Sequence, residues 1–421
     1  RAQNGLYTVS EMAPDGSRTS RVVECMIDYL YAPDDPERVL GLLASPEIRI
    51  VSLTITEGGY LIDDQGRFKL DNPTVARDLA QPSWPEGVFG YLVEALDRQR
   101  KAGIAPFTVM SCDNLRHNGS QAKRACLGYA AARDAELAAW IEAEVRFPNG
   151  MVDRITPAMD EAGREALNAQ TGVADRAPVI CEDFIQWVLE DNFSDGRPDW
   201  YAVGVTPAED VAPYEDAKLR LLNAAHLMLA YPAYLSGHRK VDAALRDTPF
   251  AEYLRDYLDQ DAGPWLHSLP GMELDGYKKL LLERFGNQAI GDQLARLCLD
   301  GGSKTPGFIL PTFDAVLGAG QDARRIAYYL ACYDRYLRAG HDDHGESYEI
   351  REPNAWHLLK PVAASDSPLA LLEVTDVVGK RAREDAHFVT LYLAYAEHVA
   401  EHGARATLLA LNRIADNLAV R

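Results

Sequence analysis

Residues 218–226, KLRLLNAAH, put an ammonium, an amide and an imidazole into a stretch that is otherwise mostly apolar. Pro213 suits the first turn of a helix here, and Pro232 should kink or end it. On a regular helix turning ~100° per residue, with Lys218 at zero, His226 falls at about 80° and Asn223 at about 140°, and the three span about 12 Å along the axis. Leu219 and Leu222 share that arc, and leucines and alanines fill much of the remainder. A helix apolar nearly all round is buried, so the three polar groups lie on one buried arc that a small molecule could bridge. Burial disfavours an unpartnered ammonium and lowers its pKa, which suits a lysine to general acid–base work. The helix alone also allows a plainer arrangement, in which Lys218 snorkels to solvent, Asn223 satisfies a backbone group and His226 is a core histidine.

Other spacings carry less. His398-Val-Ala-Glu-His402 sets two histidines one helical turn apart, as a zinc hydrolase would, but its flanks read as the end of a surface helix. Gly318-Ala-Gly-Gln-Asp-Ala323 mimics a dinucleotide-binding glycine pattern but follows a helical run, the wrong context for that turn. His341-Asp-Asp-His344 reads as a solvated turn. The 6 cysteines form no C-x-x-C pair, which points to reduced thiols in a cytoplasmic protein and away from a cysteine-rich zinc site. No metal ligands are assigned. The glycosylation sequons at Asn118 and Asn192 are chance matches on this reading.

The elements that must position these residues divide in two. A chain of 421 residues fits two domains. Leu6–Ser10, Glu47–Ile55, Phe107–Ser111, Met151–Ile155 and Pro178–Cys181 read as strands, with helices over Val88–Lys101 and about Gln121–Glu144. Strands alternating with helices predict an α/β domain with a mainly parallel sheet, whose ligands bind beyond the carboxyl ends of the strands. The clusters Thr56-Glu57-Gly58-Gly59 and Asp113-Asn114 sit at such ends. From about Asp210, long amphipathic segments take over (214–230, 239–260, 274–299, 322–338 and 384–412). The expected domains are therefore 1–209 and a mainly α-helical 210–421. The tyrosines from Tyr328 to Tyr336 have helical spacing and are expected to pack against the sheet domain.

A net charge of −20 argues against nucleic acid and anionic membranes as partners. No apolar run approaches the ~20 residues of a membrane span, and no signal-peptide pattern opens the chain. Without a long exposed heptad, a monomer is expected.

Several segments together resemble the long-chain mannitol 2-dehydrogenase family, which includes polyol dehydrogenases and fructuronate reductase. They are Leu53-Thr-Ile-Thr-Glu-Gly-Gly-Tyr60, Ser111-Cys-Asp-Asn-Leu115, Phe147-Pro-Asn-Gly-Met-Val-Asp-Arg-Ile-Thr-Pro157, Gln186-Trp-Val-Leu-Glu-Asp191 and Val211-Ala-Pro-Tyr-Glu215. To these add the K-x-x-x-x-N-x-x-H signature of Lys218 to His226, then Asn287-Gln-Ala-Ile, Asp292-Gln-Leu and Lys304. The resemblance implies a Rossmann-like domain followed by a helical domain, and metal-free hydride transfer between NAD(H) or NADP(H) and a polyol or ketose. It implies Lys218 as general base, Asn114 and Asn223 as donors to the developing alkoxide, and His226 as a contact to a substrate oxygen. Arg296 and Lys304 match positions that hold other hydroxyls, and Asp153 is expected to act either with them or on the nicotinamide side. Glu215, one turn before Lys218, is expected to relay protons to solvent, or else to form a plain ion pair. Thr56, Glu57, Gly58 and Asn114 fall where the cofactor should lie.

The chain departs from the family in one respect: no Gly-rich turn precedes Glu47, so the first strand and its turn are expected upstream of Arg1. If Leu6–Ser10 is the second strand, Glu11 at its end would accept from the ribose hydroxyls and repel a 2′-phosphate, favouring NAD; otherwise it is a solvated loop residue. The expected reaction is D-mannitol to D-fructose, with D-arabinitol, sorbitol and D-fructuronate as alternatives. The rivals from other classes are a zinc hydrolase at His398 and His402 and a non-catalytic binding protein.

Overall fold

The structure, a computed structural model, describes residues 3–63, 65–267, 269 and 273–419, with the backbone alone at Glu57 and Ala419. Eight strands lie in the first 208 residues: β1 (Tyr7–Met12), β2 (Arg18–Val23), β3 (Ile50–Leu53), β4 (Thr108–Ser111), β5 (Gly150–Asp153), β6 (Val179–Glu182), β7 (Gln186–Glu190) and β8 (Thr206–Ala208). Parallel pairing joins β3 to β4, β1 to β6 and β7 to β8. Antiparallel pairing joins β1 to β2 and β5 to β7. The α/β organisation read from the sequence is present, with helices Pro73–Ala80 and Val88–Ala102 between β3 and β4. The two antiparallel pairs were not legible in it. Arg18–Val23 is polar and almost wholly exposed, so it lacks the alternation of a half-buried strand.

The helix expected over 121–144 is two helices, Asn118–Arg133 and Ala135–Glu144. Asp134 breaks it by leaving helical geometry at φ −160° and accepting from the N–H groups of Glu136 and Leu137, which caps the second helix. Asn118 is fully buried, with its amide donating to the carbonyls of Ser111, Asp113 and Gly150. It staples β4 to β5 and is closed to glycosylation. Gly119 has to be glycine, because a Cβ there would meet the carbonyl oxygens of Pro148 and Phe147.

After β8 the described elements are helical, apart from isolated bridges. Helices Ala212–Ala217 and Ala224–Leu235 are joined by a π-helical turn, Lys218–Asn223, into one rod over 212–235. Pro232 does not end it, since the helix runs through to Leu235. Helix Arg324–Ala339 packs between this rod and helix Ala386–His402, which folds back through Gly403 (φ 84°) onto Ala404–Ala419. The tyrosines of 328–336 face this helical core and not the sheets: Tyr329, Tyr333 and Tyr336 surround Tyr231 at centroid distances of 6.0, 4.5 and 4.9 Å. Their hydroxyls are satisfied inside it, Tyr328 donating to the Ala404 carbonyl and Tyr329 bonding to Thr305. Buried Tyr hydroxyls need such partners, which ties the core to one packing arrangement. No helix among the described residues is long and apolar enough to cross a membrane.

Candidate active site

A cleft of about 970 Å³ opens between the strand-bearing half and the helices, and it is bordered by Thr56, Gly58, Asn114, Asp153, Lys218, Asn223, His226, Arg296 and Lys304. The π turn explains how Lys218, Asn223 and His226 converge. Ala224 donates back to the Leu219 carbonyl, an i→i+5 bond that fits one extra residue into the turn. One extra residue sets everything beyond it back by ~100° relative to a regular count, which brings Asn223 and His226 closer to the Lys218 direction than a plain helix would.

Lys218 is 6% exposed, yet it makes no ion pair among the described residues. Its Nζ donates to Asn114 Oδ1 at 2.6 Å and to the Val152 carbonyl at 2.5 Å. Burial pushes its pKa down from the ordinary lysine range, opposed by the nearby Asp153 and reinforced by Arg284. Two carbonyl-type acceptors satisfy two N–H groups. A neutral amine then has its lone pair free, and an ammonium has its third N–H free, in either case toward the cleft that Lys218 lines. With its oxygen taken by Lys218, Asn114 is left with its amide N–H groups to donate. Among the described residues Asn223 makes no side-chain hydrogen bond, and the buried Nε2 of His226 has no partner. Burial holds His226 neutral, with its pKa pushed down to about 3.

The floor behind these groups was not visible in the sequence. Arg284, 3% exposed, makes a bidentate contact to Asp153 at 2.8 and 2.9 Å and reaches Glu182 at 2.7 and 2.9 Å. Its guanidinium also lies over the Phe184 ring at 4.0 Å. Tyr277 donates to Asp153 from the same helix, Leu274–Phe285. The next residue, Phe285, stacks on the His226 ring at 3.9 Å. One helix thus braces Asp153, Glu182 and His226 together. Only a pairing 131 residues apart in the chain makes this possible, so no local spacing announces it.

Glu215 is 5% exposed and accepts from the His117 N–H at 2.9 and 3.2 Å, and burial pushes its carboxyl pKa up. It makes no direct bond to Lys218 among the described residues. Both border a side cavity of about 10 Å³, roughly the room one water needs. The direct ion pair is absent among the described residues, and the cavity has room for a relay through one water.

On the opposite wall, Arg296 is committed to Asp292 through two bonds of 2.8 and 2.5 Å. Lys304 donates to the Leu297 carbonyl at 3.2 Å, and burial pushes its pKa down, with Arg296 acting in the same direction.

Thr56 and Gly58 reach the cleft beyond the carboxyl end of β3. Thr56 is held at φ 61°, a strained geometry for a threonine. Asp113, beyond β4, fixes it by accepting from the N–H groups of Ile55 and Thr56 at 3.0 Å and from the Tyr60 hydroxyl at 2.6 Å. A Cβ at Gly58 would meet nothing within 4 Å. Open space over a rigid strand-end loop fits the close approach of a dinucleotide. The Glu57 side chain lies outside the described residues.

Glu11 needs correction. β1 does not end before it but runs on through Met12, because β2 pairs with it to the last residue. Its carboxylate is taken by Arg154 at 2.8 Å and Arg21 at 3.1 Å, which also holds its pKa below the usual range. Both arginines meet the same oxygen, Oε1, and the residue touches the cleft only through Arg154.

His398 and His402 lie side by side, but Nδ1 of His398 bonds to Thr407, and no group of three His, Cys, Asp or Glu among the described residues could hold a metal ion. Gly318 ends helix Leu310–Gly318, so the glycine pattern that follows is a helix terminus.

Comparison with known proteins agrees with this architecture. Residues 1–202 match the family model described as mannitol dehydrogenase Rossmann domain, and residues 210–398 match the mannitol dehydrogenase C-terminal domain. A polyol:NADP oxidoreductase of Gluconobacter oxydans is 45% identical over 409 residues, 97% of this chain and 84% of that protein. A mannitol 2-dehydrogenase of Phaeosphaeria nodorum is 39% identical over 411 residues, 97% of this chain and 72% of that protein. Among solved structures, the ternary complex of Pseudomonas fluorescens mannitol 2-dehydrogenase with NAD and D-mannitol superposes with a TM-score of 0.90 at 44% identity, covering 98% of this chain and 84% of that one. A substrate-free D-sorbitol dehydrogenase gives 0.87 at 44% identity, covering 97% of this chain and 84% of that one. With both halves matched in order and relatives aligned along nearly the whole length, this chain belongs to the mannitol dehydrogenase family.

Proposed function

We propose that the protein is a metal-independent polyol dehydrogenase that interconverts a secondary alcohol and its ketose using NAD(H), with Lys218 as the general acid–base. One observation carries the reading: a buried lysine, free of ion pairs among the described residues, whose amine is held by two carbonyl oxygens and lines the cleft. In oxidation, neutral Lys218 takes the alcohol proton on its lone pair. As negative charge develops on the oxygen, the resulting ammonium and the amides of Asn114 and Asn223 stabilise it, the work a zinc ion does in other alcohol dehydrogenases. The nicotinamide cofactor, when bound, supplies the hydride acceptor or donor. Thr56, Gly58, Asn114 and the backbone at position 57 are the residues placed to hold it, with Asp153 below. Neutral His226 offers its unpartnered Nε2 to a substrate hydroxyl, and Arg296 and Lys304 take the outer hydroxyls. Glu215 passes the proton on from Lys218 through one water. We assign the cofactor to residues 1–209 and the catalytic helix and polyol pocket to residues 210–421, in a protein that acts as a cytoplasmic monomer.

D-Mannitol to D-fructose is the first choice of substrate, supported by the Pseudomonas complex. Sorbitol or D-arabinitol is the near alternative. D-Fructuronate is a further one, because Lys304 keeps donors to spare for a carboxylate. NADP(H) is the second cofactor reading, favoured by the name of the Gluconobacter relative. Glu11 supports NAD only through Oε2, since Oε1 is taken by two arginines.

The test follows reduced-cofactor absorbance with D-fructose, D-fructuronate and D-xylulose, using NADH and then NADPH, with and without EDTA. Oxidation of NADH by D-fructose, unchanged by EDTA, is the expected result. Turnover with D-fructuronate alone would move the substrate to the uronate branch, and turnover that EDTA abolishes would overturn the lysine mechanism.

A further inference from the structure

Outside the groups used so far, one buried carboxyl stands out. Glu352 is 3% exposed, comes from an irregular segment far along the chain, and points at the start of helix Gly301–Phe308. Its Oε1 accepts from the Gly301 N–H at 3.0 Å and its Oε2 from the Gly302 N–H at 2.9 Å. Tyr333 donates to Oε1 at 2.8 Å and Tyr231 at 3.5 Å. A carboxylate in this position satisfies two of the N–H groups that a helix start leaves free and meets the positive end of the helix dipole. The two glycines are part of the device. A side chain on Gly301 would run into the Tyr231 hydroxyl, and one on Gly302 would meet Ala355 at 2.5 Å and Leu359 at 2.7 Å. The same segment grips the residue before the helix. Asp300, at φ 59°, donates its N–H to the Arg351 carbonyl, and its carboxylate accepts from the backbone and side chain of Asn354 at 3.2 and 2.5 Å. Ser303, Lys304, Gly307 and Phe308 of this short helix border the cleft, as do Asp300 and Asn354.

Resting on the polyol reading above, we propose that Glu352 is a positioning residue for polyol binding: by seating the first turn of Gly301–Phe308 it fixes where Lys304 meets the substrate, and so sets polyol affinity without entering the proton or hydride step. Glu352 touches no residue of the Lys218 floor. Burial pushes its carboxyl pKa up to about 7. The groups facing it are Tyr231 from the long rod, Tyr329, Tyr333 and Tyr336 from helix Arg324–Ala339, and Cys298, Asp300 and Lys304 around the helix start it caps. Once protonated, Glu352 loses its charge and accepts only weakly at its hydroxyl oxygen, so its grip on the two backbone donors loosens. The polyol KM should therefore rise as pH falls below about 7.

The test is Glu352→Gln, which keeps the volume but turns an NH₂ group toward a backbone N–H. The expected result is a polyol KM raised about 10-fold, with kcat and the cofactor KM within about 2-fold of the parent enzyme. The variant's polyol KM should also lose its change with pH near neutrality. A second readout is the double variant with Lys304→Ala. If Glu352 acts through Lys304, the double variant binds polyol no worse than Lys304→Ala alone. If Glu352→Gln does not fold, Tyr333→Phe removes one donor to the same carboxylate and should move KM in the same direction by a smaller factor. An unchanged polyol KM, a parallel fall in kcat, or full additivity with Lys304→Ala would each overturn the proposal. Absence of turnover in the parent protein would instead fall on the polyol reading and remove the basis of this one.

Discussion

The floor of the cleft and its outer wall are built differently. At the floor, Lys218, Asp153 and Arg284 are nearly inaccessible, and the strand-bearing half and the helices both contribute. Asp153 and Glu182 come from strands, Arg284 and Tyr277 from one helix, and the Val152 carbonyl that receives Lys218 from β5. The wall is made by one half alone: Arg296, Asp300, Lys304 and Asn354 all belong to the helices and their connections. Arg296 is 43% exposed at its side chain, against 2% for Arg284. A group held from two sides in a dry setting keeps its geometry to a fraction of an ångström, which proton transfer needs. A more exposed group held from one half alone can contact the substrate without controlling the geometry of the reacting atoms. The floor should therefore govern kcat, and the wall KM and substrate choice.

The comparison breaks first at Lys218. Lys218→Ala should lower kcat by ~10²–10⁴-fold with the fold intact by circular dichroism. Near-full activity would show that the proton goes elsewhere. Next comes Arg284→Met, which leaves two carboxylates buried without their cation and should cost ~3–5 kcal/mol in denaturant melts. A loss below about 1 kcal/mol would put this ion network on a par with a surface pair.

His226 sharpens the comparison through pH. In the unfolded chain it takes up a proton near pH ~6.5, whereas in the folded protein it does so only near pH 3. Its depressed pKa gives stability that is present above about pH 6.5 and is lost as pH falls through the window toward about 3. The melting temperature should fall more steeply between these limits in the parent than in His226→Gln, and parallel curves would show that His226 is not held neutral. At the wall the effect is smallest. Lys304→Ala should raise the polyol KM about 10-fold while leaving kcat within about 2-fold. A kcat loss as large as that of Lys218→Ala would erase the distinction between floor and wall.

The chemistry was legible where it is local. Lys218, Asn223 and His226 share one helix, and Thr56 to Tyr60 and Asp113-Asn114 share the strand-end logic of an α/β fold, so short spacings singled them out and the family resemblance supplied their expected roles. Arg284, Phe285 and Glu352 were not legible, because each acts on a partner remote in sequence and nothing in its neighbours marks it. Glu11 was misplaced for a similar reason. The length of β1 is set by its partner β2, whose polar sequence gives no strand signal. The tyrosines of 328–336 showed their buried face but not what it packs on, since helical periodicity identifies a buried stripe without naming the surface that covers it.

The π turn at Lys218–Asn223 has a consequence at the level of the gene. Losing one codon for any residue from Leu219 to Leu222 would leave the composition and apolar character of the segment almost unchanged. It would also let the backbone relax into an ordinary helix, and because the turn carries one residue more than a regular helix needs, Ala224–Leu235 would keep the phase it has now. His226 would stay in line with Lys218, and the same leucines would meet the tyrosine core. The turn is thus a one-residue insertion that the rest of the rod does not feel, so this stretch should tolerate the loss of one residue there, whereas a second loss or a further gain would turn the rest of the rod by ~100°.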